Sequence, residues 1–200
     1  MTACASDLEF VTTLLGRAPQ GDFEVVVRDD LGAPVVLRNA PFLHDGTPMP
    51  TRYWLVGREA VRLVGRLEGA GGVRRAEGEV PAAEIEAAHR RYAADRDADI
   101  PEGHIAPRPT GGVGGTREGL KCLHAHYAFH LAGGDDAVGR RGEIGIGACL
   151  RAADAATQLI ELGETEHVGA MHDQRIGVGH VETRFHDRRR EQDVVMALVE

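Results

Sequence analysis

The chain has 200 residues, of which 42% are apolar, 27% charged and only 4% aromatic, and its formal net charge is −8. A chain this long buries a core without help from disulfides or metal, and the acidic balance argues against a nucleic-acid binder, which presents a basic face. Cys4, Cys122 and Cys149 are too few and too scattered for a disulfide framework. The N-terminus lacks the basic and apolar regions of a signal peptide, and no run nears the ~20 apolar residues of a membrane span. The expectation is a soluble cytoplasmic protein with reduced thiols and neither nucleic acid nor membrane as a partner.

Ser6-Asp7-Leu8-Glu9 has the form of a capping box. Leu8, Val11, Leu14 and Leu15 follow at helical spacing, and Gly16 and Pro19 end the helix. Its apolar face suits packing on the protein's own sheet more readily than a partner. Residues 23–28 and 35–38 read as strands around Asp29-Asp30-Leu31-Gly32, which is turn chemistry, so an antiparallel hairpin is predicted. Residues 41–50, PFLHDGTPMP, form a shaped loop carrying His44 and Asp45. Residues 53–56 read as a third strand, with Trp54 expected to anchor the core.

Ala60, Val61, Val64 and Leu67 mark a helix over residues 59–68 that stops at Gly69–Gly72, and Arg74-Arg75 read as a solvated pair. Pro81 opens the next helix, which runs to about Arg96 with Glu84 and Glu86 in its early turns. Ile85, Ala88, His89 and Tyr92 share one face of it, where His89 reads as a hydrogen-bonded core histidine. The fold class is α+β: a small antiparallel sheet packed against several helices, with a long Gly/Pro-rich loop over 100–119 leading into a central helix. A loop of that length inside a compact domain is usually functional or disordered; its prolines favour an ordered, functional one that delivers His104 and Arg108.

The stretch from Thr110 to Gly134, TGGVGGTREGLKCLHAHYAFHLAGG, concentrates the chemically capable groups. Thr116 is the expected N-cap of a helix over about 116–132. Leu120, Leu123, Tyr127 and Leu131 then form its core stripe, His124 lies on one flank, and Cys122, His126 and His130 lie along the other. Three chemistries compete. Glycines ahead of a helix N-terminus expose backbone N–H groups to an anion. The anion-binding candidates are Gly112, Gly114, Gly115 and Thr116, with Arg108, Arg117 and Lys121 adding charge; the run is neither a P-loop nor a dinucleotide fingerprint, and a tight turn explains it equally well. Zinc is the second reading, with Cys122, His126 and His104 as ligands, although neither a CxxC pair nor an HExxH motif is present. Catalysis by Cys122, His124 and His126 is the third, the thiol pKa being lowered by Lys121, His126 and the helix N-terminus. An inert buried thiol is the simpler reading of Cys122.

Leu15 to Pro19 (LGRAP), Asp45 to Leu55 (DGTPMPTRYWL), Arg66 to Val73 (RLEGAGGV) and above all Gly111 to Gly139 (GGVGGTREGLKCLHAHYAFHLAGGDDAVG) resemble an uncharacterised bacterial family, domain of unknown function 501. The resemblance covers about residues 10 to 141. It implies a soluble cytoplasmic protein and brings no activity, substrate or catalytic residue. Members tend to be encoded near a septum-formation-initiator protein and an exopolyphosphatase, an association with division or phosphate metabolism.

The expected division is therefore a family-like domain over 1–141 and a divergent tail over 142–200, the product of divergence or of a shifted reading frame. Within the tail a helix is expected over 148–162, and His167, His172, His180 and His186 read as composition. Two functions are expected from these residues. The first is a small enzyme or ligand-binding domain for an anionic, phosphate-like molecule, with its site where the 101–119 loop meets the Cys122–His130 helix. The second is a non-catalytic protein-interaction module linked to cell division.

Overall fold

A computed structural model describes residues 3–142 and Gly145, within the first of two compact units, Met1–Ile160. The helix expected over 148–162 and the four later histidines lie outside the described residues. Helix α1 (Ala5–Leu15) is followed by strands β1 (Phe23–Arg28), β2 (Pro34–Asn39) and β3 (Tyr53–Leu55). Helices α2 (Arg58–Gly69), α3 (Gly72–Glu79) and α4 (Ala82–Asp97), a single 3-10 turn (Val113–Gly115) and helix α5 (Leu123–Leu131) complete the named elements. Residues 137–142 are also helical. The α+β class is as expected. No helix among the described residues is long and apolar enough to cross a membrane.

The sheet has the order β1-β2-β3, antiparallel throughout. Side chains alternate between faces along a strand, and β2 uses both. Leu37 packs with Val11, Phe23 and Val56 under α1, whereas Val36 packs with Tyr53, Tyr92, Val113 and Phe129 on the opposite face. In β1 the pairing register shifts between Val25 and Val27. Such a bulge re-aims the side chains beyond it, and Val26 and Val27 both reach the Tyr92 side while Val25 stays under α1. Trp54 is only half-buried. The aromatic anchor is its neighbour Tyr53, whose ring meets Tyr92 edge-on and stacks on Phe129, with centroids 5.8 and 5.5 Å away.

A second core lies between α2, α3, α5 and residues 137–142, built from Leu63, Val64, Ala76, Leu123, Tyr127 and Val138. Helix α3 is an element the sequence reading left out. Gly71, in the left-handed region at φ 80°, breaks the chain between α2 and α3, and a Cβ on Gly72 would stand 2.6 Å from the Leu67 carbonyl oxygen. The helix over 59–68 stops at these glycines as expected, and the tight turn and close packing they permit let α3 start at once.

Helix α4 faces inward with Ile85, Ala88, His89 and Tyr92, as its spacing predicts, and also with Arg96. The Tyr92 hydroxyl oxygen accepts the backbone N–H groups of Arg52 and Tyr53, which fastens α4 to the start of β3. Burial pushes the Tyr92 pKa up to about 12, against the opposing pull of those N–H groups. Tyr92→Phe keeps the ring contacts and strips two buried donors of their acceptor. It should destabilise the fold by about 1–3 kcal/mol, read as a lower urea midpoint with an unchanged m-value.

Candidate functional site

The central helix begins later than the sequence suggests. Its N-cap is Cys122, extended at φ −156° and ψ 154°, and Leu123 is its first residue. Thr116 instead follows the 3-10 turn, in extended backbone at φ −77° and ψ 141°. The reason is local. Gly111, Gly114, Gly115 and Gly119 all take positive φ, which breaks any helix over 116–122 before it starts.

The glycine run folds back on itself and does not open toward a ligand. The Gly112 N–H donates to the Thr116 carbonyl at 2.7 Å, Gly115 to Gly112 at 2.9 Å and Thr116 to Val113 at 3.2 Å. The Val113 N–H donates to His89 Nδ1 at 3.0 Å. A Cβ on Gly111 would lie 2.4 Å from the Gly115 carbonyl oxygen, and one on Gly112 2.4 Å from the His89 Cβ. Closeness of backbone to backbone and to His89 is what the glycines serve. The backbone donors expected to face an anion are taken up inside the protein. Arg108, Arg117 and Lys121 are exposed, and the Arg108 guanidinium reaches the His104 carbonyl at 3.4 Å.

His89 has both ring nitrogens engaged. Nδ1 accepts from Val113, so Nε2 carries the proton, which it donates to the Gly119 carbonyl at 2.9 Å. It is the hydrogen-bonded core histidine that the sequence leads one to expect. Burial lowers its pKa from the ordinary 6.5, the Gly119 bond opposing and the nearby His126 assisting.

His126 is 1% exposed and lies on the inner side of α5. Its Nδ1 donates to Asp136 Oδ2 at 2.7 Å. Asp136 is itself fully buried, and its Oδ1 accepts the N–H groups of Val138 and Gly139, each at 2.9 Å. Asp136 thus caps the helix over 137–142 and fixes the His126 tautomer. Gly139 allows that helix to cross α5 closely, since a Cβ there would stand 2.4 Å from the His130 Cβ. With Nδ1 protonated, His126 Nε2 is a lone-pair acceptor, and it has no partner. Among the described residues, Thr116 Oγ1 and His126 Nε2 are the buried side-chain polar atoms without one. Both lie in the stretch singled out from sequence. The His126 ring centroid is 5.7 Å from that of His89, and Thr116 bonds to the carbonyl of Val113, the residue His89 holds.

Cys122 and His124 fall in a different group with Glu68, which projects from the last turn of α2. One ligand-capable atom from each of the three lies within 4.8 Å of the others. His124 Nδ1 is 3.1 Å from Glu68 Oε1. Glu68 also accepts the N–H of Leu123 and so supplies the cap that Cys122 does not. For Glu68, burial raises the pKa, but His124 and the α5 N–H groups outweigh it and hold the carboxyl below its usual range. Burial pushes the Cys122 thiol up, the Ala125 N–H opposing and Glu68 adding to the rise. A depressed thiol pKa was the basis for an activated Cys122; with the sulfur buried beside a carboxylate, the shift runs the other way.

The remaining candidates do not join either group. His104 packs at a tilt against Phe42 in an exposed loop, centroids 4.3 Å apart. The proposed zinc set of Cys122, His126 and His104 is thus spread over three surroundings, with His126 Nδ1 already held by Asp136. His44 is exposed and pairs with Asp22 at 3.3 Å. Glu68 and Asp136 were missed in the sequence. Asp136 carried a usable signal, an Asp one residue before a helix start; Glu68, fifty-five positions from the backbone N–H it caps, carried none.

The fold and these paired polar groups define a small α+β protein with two side-chain clusters on one helix. The chain matches the family described as "Protein of unknown function (DUF501)" over residues 25–143 and belongs to it. The match begins after the Leu15–Pro19 segment and includes the central stretch. No curated protein and no solved structure matches the chain.

The His89 shift sets a pH dependence. Its folded-state pKa is below that of the unfolded chain, so the unfolded state binds more protons and stability is lost as pH falls through and below 6.5. Burial pulls the His124 pKa down, but its contact with Glu68 outweighs burial and holds it above the ordinary 6.5, so its contribution runs the opposite way. The His89 contribution is read as a difference: between about pH 7.5 and about pH 5 the urea midpoint of wild type should fall further, or rise less, than that of His89→Gln. Site-resolved alkylation should show exposed Cys4 reacting well before half-buried Cys122; equal rates would mean that the Cys122 sulfur is open.

Proposed function

We propose that the protein is a small enzyme or ligand-binding domain in which His126 accepts a proton or a hydrogen bond from a small polar, anionic molecule. The observation that carries this reading is His126 Nε2, buried and unpartnered while Asp136 holds the other ring nitrogen. A buried acceptor left without a partner costs about 1–3 kcal/mol, and such a cost is commonly retained where a site needs the atom free. A carboxylate on Nδ1 orients the ring and stabilises the imidazolium formed when Nε2 takes a proton. Thr116 Oγ1, the other orphan, supplies a hydroxyl contact. Exposed Arg108, Arg117 and Lys121 supply long-range attraction for an anion.

The test is ligand-dependent thermal stabilisation against inorganic phosphate, nucleotides and small carboxylates. A ligand at about 100 times its Kd adds about 2.7 kcal/mol of stability. His126→Asn places an amide N–H near the Nδ1 position and removes Nε2. It should fold and lose the response, as should Thr116→Val, while His104→Ala keeps it. Absence of stabilisation by any of these compounds, or an unchanged response in His126→Asn, overturns the proposal.

A second reading, a protein-interaction module linked to division, draws on α1, where Leu8 and Phe10 are 47% and 40% exposed. A stoichiometric partner lost on Phe10→Glu and indifferent to His126→Asn would favour it over the first.

A further inference from the structure

We propose that Glu68, Cys122 and His124 form a binding site for a divalent transition-metal ion of the zinc class. The three side chains come from two elements that the fold has already locked together: the last turn of α2 and the N-terminus of α5. Their ligand atoms lie within 4.8 Å of one another. Zinc bonds of about 2.0–2.3 Å set neighbouring ligand atoms about 3–4 Å apart, so small side-chain rotations close the set. Sulfur, imidazole nitrogen and carboxylate oxygen are the donors zinc takes.

The orientation of His124 is the second, independent observation. Its Nε2 is 3.3 Å from the Val61 carbonyl oxygen, which can only accept. The proton of the neutral ring therefore sits on Nε2, and the Nδ1 lone pair points at Glu68 Oε1, 3.1 Å away. Two lone pairs at that distance repel unless a positive centre lies between them, either a proton or a metal. An imidazolium–carboxylate pair alone has no need of sulfur, yet Cys122 shares the same space. A backbone carbonyl on the far nitrogen is also the usual support for a metal-bound histidine.

Charge balance agrees. A thiolate, a carboxylate and a divalent cation sum to zero, which a half-buried position tolerates; the Glu68 and His124 side chains are 24% and 26% exposed. The start of α5 by itself disfavours a cation, but both anionic ligands sit at that helix end and outweigh it. Glu68 continues to accept the Leu123 N–H, and a carboxylate has lone pairs enough for both partners. Three protein ligands leave a fourth position open to solvent or to a small ligand.

The site is separate from His126, and either proposal can fail without the other. The test uses the full-length, metal-stripped protein and Co²⁺ as the probe. Wild type should develop a thiolate-to-cobalt charge-transfer band and the visible spectrum of a tetrahedral site, both displaced by Zn²⁺. Cys122→Ser should abolish the charge-transfer band, whereas Cys4→Ser and Cys149→Ser leave it. Glu68→Gln, which keeps the helix cap, and His124→Ala should each weaken Co²⁺ affinity at least about 10-fold, with thermal melts confirming that every variant folds. Chelator should lower the melting temperature of the zinc-loaded wild type alone. Absence of a thiolate band in wild type overturns the proposal, and so does its persistence in Cys122→Ser. Affinity unchanged in both Glu68→Gln and His124→Ala does so as well.

Discussion

Buried backbone must find hydrogen-bond partners, and here the inner face of α4 provides them. His89 holds the Val113 N–H and the Gly119 carbonyl. Tyr92 holds the N–H groups of Arg52 and Tyr53. Arg96, 2% exposed, donates to the Gly111 carbonyl at 2.8 Å and reaches toward that of Pro50. Three residues one turn apart on one helix thereby fix the sheet's third strand and the whole glycine loop. An irregular loop is stable in a protein interior only when its polar backbone is satisfied in this way. A fourth buried group, the Arg52 guanidinium, completes the arrangement: it donates to the Asn39 carbonyl and pairs with Asp95 and Asp99 at the far end of α4.

Where a residue pattern reflects burial, the sequence was a good guide. The strand over 23–28, the third strand expected over 53–56 and found at Tyr53–Leu55, α2, and the Ile85/Ala88/His89/Tyr92 face followed from periodicity because each presents one side to a core. Glycine ends α2 where the sequence places its stop, but the tight packing that Gly71–Gly72 permits lets α3 begin at once, and at 111–119 glycine closes a loop whose donors turn inward. A glycine states that a Cβ is not tolerated or that φ is positive; it does not state which. The candidate residues were found in the right stretch but assigned to the wrong companions. Helical spacing put Cys122 and His126 on one face, but Cys122 is not in the helix. Of the residues that organise the two clusters, Asp136 has a local signature as a helix cap but none for its bond to His126, and Glu68 acts through a tertiary contact that no local pattern encodes.

Helix α5 carries two polar centres with opposite characters. At its first turn, Glu68, Cys122 and His124 meet at partial exposure, and the Glu68 carboxylate both caps the helix and faces His124. One turn further, His126 is sealed in the interior with Asp136, whose other oxygen caps the next helix. Each carboxylate serves a helix terminus and a histidine at once. Loss of either carboxylate therefore frees a helix end and releases a ring together, so substitutions there report on packing and chemistry jointly, whereas changes at the rings separate the two.

The order borrowed from α4 has a consequence for how the chain acquires its shape during synthesis. The 110–122 loop forms few regular hydrogen bonds of its own, and its anchors at His89 and Arg96 precede it in the chain. A domain built from its N-terminal end has the sheet and α4 available before the loop emerges. Asp136 emerges last among the residues that fix His126. The interior histidine therefore waits on a residue ten positions downstream, and its ring is fixed only after the segment beyond α5 has been made.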